Sequence, residues 1–518
     1  MKTSYRNVLS GFSKFLLIGL LLSCNGKGQE IWPPALPTAN ENGVATLSTQ
    51  GLLQVPSSVK NILDSNSQAS LAIAKTAPVI ELVYHNELPN AALNGTGWSS
   101  WGDICLASDG KVYSGIGNHG EAEKGESYIY CWDPSIKDFK KIADLNKITG
   151  AKANEVHFSK VHAHIIEGMD KKIYFTGTLN DGGLAGSKEM LEKWTTNIAG
   201  GKLFQYDPTT GKTVIFADFP PARVTATTKY DAKRNILYCA LEGSPDGFAF
   251  GAFDMNTKKW IYEGAPGLIG NDRNFMLDTQ GNVYFNGIES SAHTGLRLKA
   301  WLEAWQIDQA TKNEGPIIPA SMLPGAKKRL NKEANTYTTL WKYDPTTNEV
   351  TSTNSYFKST GFRSSTKESK AGYVYGSTMG GELFRYSPGK DEVTILGSNF
   401  LTDGEYITVC DLSPDEKYLY YLPGAHGSAG FSGTPVIQYD IAKGQQKALA
   451  FLYEPMNKAF NYAPGGTYGI KISNDGATLY VGLNGSPSDS IRPKELNQGF
   501  GLTSFAIIHI PAQERSGE

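Results

Sequence analysis

Counting back about 11–15 residues from a tyrosine that recurs along the chain reaches Trp101, His162, Arg223, Arg273, Arg363, Thr408 and Tyr468 in turn. Three guanidinium groups and an imidazole at one register suit an anionic ligand, because arginine's planar fork matches carboxylates and sulfates. Salt bridges between successive repeats are the competing explanation. Two further histidines share an address: His119 follows Tyr113 by six residues and His426 follows Tyr420 by six, in Gly117-Asn118-His119-Gly120 and Gly424-Ala425-His426-Gly427. Flanking glycines let the backbone turn sharply and expose the ring. Histidines beside an arginine-rich site are the parts of general acid–base chemistry on an anionic substrate. His162-Ala163-His164 would put two imidazoles on one side of a regular strand, a pair that could bind a metal. No nearby carboxylate or cysteine completes such a site, so His162 is expected to face the ligand, with His164 deeper, and no metal or other cofactor is expected. His85, His157 and His509 read as structural or solvated.

The elements that must position these residues are repeats. An apolar strand, a polar hairpin and a strand ending in tyrosine recur seven times, as in Asp109-Gly110-Lys111-Val112-Tyr113 and Gln280-Gly281-Asn282-Val283-Tyr284, with the other copies ending at Tyr174, Tyr238, Tyr375, Tyr420 and Tyr480. A second phrase follows most copies: Trp132-Asp133-Pro134, Tyr206-Asp207-Pro208, Phe253-Asp254, Tyr343-Asp344-Pro345, Tyr386-Ser387-Pro388 and Tyr439-Asp440. Strands and tight turns at this period are the signature of a β-propeller. The expected fold is all-β, a seven-bladed propeller in which the starts of the innermost strands meet at one funnel mouth. The strand at 78–84 is expected to be the outer strand of the last blade, closing the ring with the C-terminal strand and removing an exposed edge.

The tyrosine spacings are 61, 64, 46, 91, 45 and 60 residues, against about 40–45 for a minimal blade. The excess marks insertions after second strands, on the same top face as the funnel mouth. The largest, in blade four, carries His293, Arg297, Trp301 and Trp305; a smaller one in blade two carries Lys188, Lys193 and Trp194. An aromatic, basic lid is the simplest reading of them.

The net charge of −2 and the lack of a basic block give no footprint for nucleic acid. There is no G-x-S-x-G elbow, H-E-x-x-H helix, P-loop or dinucleotide fingerprint. The funnel starts are poor in acids, with Asp103, Asp272 and Glu405 nearest. This disfavours a lactonase, which would want an acidic cage for its metal. Cys105 and Cys131 fall on the first and third strands of one blade, too far apart for a disulfide. They, Cys239 and Cys410 are expected to be buried packing residues. At the N-terminus, basic Lys2, Arg6 and Lys14 precede an apolar run, Phe15 to Leu22, too short to span a bilayer. The run ends in Leu21-Leu22-Ser23-Cys24, which resembles a bacterial lipobox. That resemblance implies a signal peptide at 1–23, a lipidated Cys24 and an outer-membrane lipoprotein of the cell envelope, held by its lipid anchor only. Residues 24–75, rich in Pro, Asn, Ser and Gly, read as a tether or loosely packed leader, and 76–518 as the propeller.

Lys160-Val161-His162 followed by Lys172-Ile173-Tyr174-Phe175 resembles the seven-bladed propeller lyases that cut ulvan, and the related ulvan oligosaccharide dehydratases. Tyr420-Tyr421-Leu422-Pro423-Gly424-Ala425-His426-Gly427 and Gly465-Gly466-Thr467-Tyr468-Gly469 look like a shared signature of such lipoproteins. The resemblance covers about 100–510. It implies β-elimination on a uronic acid: an arginine neutralises the carboxylate, one group removes the C5 proton, and another protonates the oxygen leaving C4. Carried onto this chain, Arg223 or Arg273 would hold the carboxylate. His162 would be base or acid, and His119 or His426 its partner. Arg363, Tyr468, Trp101 and Trp301 would bind the anionic oligosaccharide. Thr176-Gly177-Thr178 stands where the lyases carry a second histidine, and Gly243-Ser244-Pro245 near the place of their catalytic tyrosine. Dehydration of a non-reducing-end uronate is therefore expected slightly ahead of chain cleavage. The reading from another class is a non-catalytic, glycan-binding propeller. No protein partner is expected.

Overall fold

Each recurring hairpin is fixed by short-range chemistry. In the first, the Asp109 carboxylate accepts from Lys111 N at 3.0 Å, and Gly110 turns the chain at φ +87. Asp and Gly at these positions are the usual solution, since one side chain mimics a backbone acceptor and glycine adopts positive φ without strain. The aspartate of the second phrase does the same at the next hairpin: Asp133, Asp207, Asp254, Asp344 and Asp440 accept from the backbone N–H two residues on.

The computed structural model describes residues 32–518 except 68, 90–96, 121, 154, 180–200, 220–223, 245–246, 265–273, 288–336, 359–360, 402–406, 425–426, 489–500 and 516–518. Its strands form seven small sheets arranged in a ring, the seven-bladed β-propeller the repeats predict. Blade one runs Cys105–Leu106, Val112–Gly117, Ser127–Asp133 and Asp138–Asp144, each strand antiparallel to the last. The first strands of blades three and five are Val224–Asp231 and Phe362–Glu368; those of six and seven are Cys410–Leu412 and Tyr462–Ile472.

The two recurring phrases meet between blades. Tyr113 of blade one packs against Tyr206 of blade two, with ring centroids 6.0 Å apart. Tyr238 of blade three meets Tyr343 of blade four at 5.7 Å, and Tyr284 of blade four meets Tyr386 of blade five at 5.0 Å. These are edge-on or tilted contacts, the geometry in which aromatic quadrupoles attract. The tyrosines recur because each supplies one side of a blade-to-blade seam.

The ring closes as expected. Val79–Tyr84 pairs antiparallel with Leu502–His509, from Val79 opposite His509 to Tyr84 opposite Ser504, and is the fourth strand of blade seven. The blade-two and blade-four insertions do leave from second strands, Ile173–Thr176 and Val283–Asn286. The residues argued to form a lid, Trp301 among them, lie outside the described residues.

Residues 32–75 depart from the loose leader that composition implies. Ala45–Leu47 adds a fifth strand to blade seven, and Leu71–Ile73 adds a parallel fifth strand to blade six. Trp32, Leu36, Val44 and Leu52 are buried in the apolar cluster that also holds the closing strands. Helix Ser57–Ser65 buries Val59 against blade six. The strands escape notice because they are three residues long and their partners are remote in sequence. Cys24 and the segment before it lie outside the described residues. Among the described residues no helix is long and apolar enough to cross a membrane. All four described cysteines are free and buried. Burial pushes the Cys131 thiol up to about 11 and those of Cys105 and Cys410 up to about 12, so they stay protonated packing groups.

Candidate functional site

Trp101 is the hub of the ring mouth. Its indole lies 4.9 Å from the His119 ring, 5.7 Å from the His162 ring and 4.9 Å from the Tyr468 ring, between centroids. The Lys160 ammonium sits 5.7 Å over the indole, and the Arg363 guanidinium 5.6 Å over the Tyr468 ring. All five sequence-chosen residues that are described, Trp101, His119, His162, Arg363 and Tyr468, therefore join one continuous cluster drawn from blades one, two, five and seven. Arg223, Arg273 and His426 lie outside the described residues.

Backbone packing sets these positions. Ser99 pairs with Gly117 across a two-way bridge, its N–H donating at 3.0 Å and its carbonyl accepting at 2.9 Å. This brings Ser99 beside His119, two residues further on. His119 itself has φ +56, and its N–H donates to Ser159 O at 3.2 Å. Asn118 locks the turn by accepting from both Gly120 N and Glu126 N at 2.8 Å. Gly117 and Gly102 let blade two approach. A methyl group on Gly117 would collide with Ser159 O, and one on Gly102 with Ala163 O. His162 is thereby pressed against the Trp101 loop and is only 6% exposed.

The His162-Ala163-His164 segment is not the regular strand that alternation assumes. Blade two's innermost strand is interrupted: Phe158–Lys160 pairs with Thr178–Leu179, Ile166–Glu167 pairs with Tyr174 and Ile173, and a bend at Ala163 separates them. The same-side argument for the two imidazoles therefore does not apply. The His164 carbonyl accepts from Thr228 Oγ1 at 2.9 Å. No group of three or more His, Cys, Asp or Glu is placed to hold a metal ion among the described residues.

Ser99 links the cluster by hydrogen bonds. Its Oγ lies 2.6 Å from Trp101 Nε1, which donates to it, and 2.6 Å from His119 Nε2. Sequence reasoning did not reach Ser99 or Lys160 as site residues. A serine two residues before the hub tryptophan carries no signal until Gly117 brings it against the His119 turn. Thr408, blade six's residue at the shared register, instead donates its hydroxyl proton to the Thr467 carbonyl and so holds blade seven.

Below the mouth, the channel wall carries further charges, of which sequence reasoning reached only Asp103. Asp103 pairs with Lys471 of blade seven and also accepts from Ile470 N at 3.2 Å. Asp411 of blade six accepts from Ile472 N at 2.9 Å. The two aspartates thus clamp blade seven's first strand from both sides, which gives Asp103 a structural task. Burial works against the charge of Lys471, but Asp103 and then Asp411 outweigh it and hold the ammonium above its usual range. Lys229 of blade three lies 3.4 Å from Asn274 Oδ1 and 3.2 Å from Ser365 Oγ, reaching to blades four and five. Burial, with the Lys471 charge adding, lowers its amine to about 8.

No family model matches the chain, and no curated protein matches it. The solved structure of U3-55K is similar in trace with a TM-score of 0.45 at 11% identity, over 83% of this chain and 98% of that one. At that level the likeness carries no argument about function. What the chain's own sheets establish is a seven-bladed β-propeller whose mouth gathers two imidazoles, a lysine, an arginine and two large aromatic rings.

Proposed function

We propose that this protein is a carbon–oxygen lyase acting by β-elimination on uronic acid residues of ulvan-like anionic oligosaccharides, dehydrating the non-reducing-end uronate. The observation that carries the reading is the pair of histidines packed against one indole, with a lysine over that indole and an arginine over the neighbouring tyrosine ring. An indole and a phenol ring offer stacking surfaces for sugar rings. Lys160 and Arg363 supply positive charge for a carboxylate, alongside Arg223 and Arg273 at the same sequence register. One imidazole would take the C5 proton. As the C4–O bond breaks and the C4–C5 double bond forms, the other would give a proton to the departing hydroxyl, so that water leaves. Were the leaving oxygen to carry a sugar, the same steps would cut the chain.

The test is ultraviolet absorbance with purified protein and saturated ulvan oligosaccharides or, separately, polymer, followed by mass analysis. A conjugated chromophore with loss of one water and no shortening supports the dehydratase; a chromophore with shorter chains supports the lyase. Binding without any chromophore would sink elimination and favour a glycan-binding propeller. Under the proposal, His162→Ala and His119→Ala each lower turnover by roughly 10²–10⁴-fold, the usual span for losing an acid or base.

A further inference from the structure

We infer that Ser99 is a positioning residue that fixes His119 in the tautomer with its proton on Nδ1, the polarity being set by Trp101. An indole nitrogen can only donate, so Trp101 Nε1–H occupies a lone pair of Ser99 Oγ, at 2.6 Å. The serine's own proton then needs an acceptor, and His119 Nε2 lies 2.6 Å away. Ser99 is buried, with no water-facing alternative for that proton. The relay therefore runs Trp101 N–H to Ser99 O–H to His119 Nε2. Nε2 must present its lone pair, and the neutral ring carries its hydrogen on Nδ1. An imidazolium, or the other neutral tautomer, would aim a second N–H at Ser99 Oγ and strip the hydroxyl of its acceptor. The bridge between Ser99 and Gly117, and the left-handed turn at His119, hold the two side chains in this contact.

Resting on the elimination reading, this divides the labour that symmetry of residue type leaves open. His119, with Nε2 accepting from Ser99 and Nδ1 protonated, has no lone pair to take the C5 proton. It is therefore not the base, which leaves that role to His162.

The test uses the full chain labelled with 15N-histidine and a long-range proton–nitrogen correlation spectrum at neutral pH. The His119 signals are assigned by their loss in His119→Gln. The expected result is a protonated Nδ1 and an unprotonated Nε2 for His119. In Ser99→Ala, and in Trp101→Phe, which keeps the serine but removes the indole donor, the proton shifts toward Nε2. A protonated Nε2 in the unmodified protein would overturn the inference, and this needs only the His119→Gln assignment variant to fold. So would an unchanged His119 tautomer in either variant. Because the tautomer is read without substrate, a protein that makes no chromophore but shows the expected spectrum would overturn the elimination reading alone.

Discussion

At the scale of residues, the register count identified a real cluster, and its reason is geometric. Equal distance from a hairpin means equal depth on the innermost strand, and four of the register positions, Trp101, His162, Arg363 and Tyr468, come together. These four were legible for that reason, and His119 was legible from its address six residues after Tyr113. Ser99 and Lys160 were not, because their roles depend on backbone contacts between blades that no single repeat encodes. Lys229 and Lys471 were missed because the count stops at the mouth, whereas both lie further down the channel wall. Lys229 makes a prediction of its own. With its amine lowered from the usual 10.5 to about 8, it loses its proton as pH rises through that value, while ordinary lysines stay charged. Brief acetylation across pH 6–10, read by mass spectrometry of the peptide, is expected to modify Lys229 with a midpoint near 8. A profile that follows the exposed lysines would show that the channel does not depress it.

At the scale of elements, the repeat was legible because each hairpin is a local structure, with its acceptor and its turn residue within a few positions. The seams were half legible: the sequence displays both tyrosines but not that one blade's second-strand ring meets the next blade's third-strand ring. Tyr343 is the clearest case, fully buried among Tyr238, Phe250 and Tyr262, with its hydroxyl donating to Asn348 Oδ1 at 2.8 Å. Tyr343→Ala is expected to cost about 3–5 kcal/mol in denaturant unfolding, as large aromatic truncations do. Tyr343→Phe, which loses only the hydrogen bond, is expected to cost about 1 kcal/mol. Equal losses would mean that the hydroxyl, and not the ring, holds the seam. The 32–75 segment was the least legible element. Its strands are short and its partners lie up to several hundred residues away, so neither periodicity nor local turn chemistry reports them.

At the scale of the molecule, the seam between blade seven's closing strand, Val79–Tyr84, and blade one has a titratable group at its centre. His85 is fully buried against Tyr130 and Phe139, with Nε2 3.3 Å from Ser114 Oγ. Burial lowers its imidazole from 6.5 to about 3. Between those values the unfolded chain binds a proton that the folded chain refuses, so stability falls as pH drops from 6.5 toward 3, by up to about 1.4 kcal/mol per pH unit. His85→Gln is expected to flatten that part of the stability–pH curve, measured by urea unfolding at each pH; an unaltered slope would assign acid sensitivity elsewhere.

Blade seven takes its inner strands from the end of the chain and its outer ones from the beginning, with Val79 opposite His509. During synthesis, then, six blades emerge before the strand that locks the ring exists. Val79–Tyr84 waits through most of translation with an unsatisfied edge, and the mouth cannot assemble until Tyr468 and the residues after it have left the ribosome. Contacts this distant in sequence are slow to form. The ring mouth is therefore completed last, and a chain cut short before Leu502–His509 is left with an open ring, whatever the quality of its other six blades.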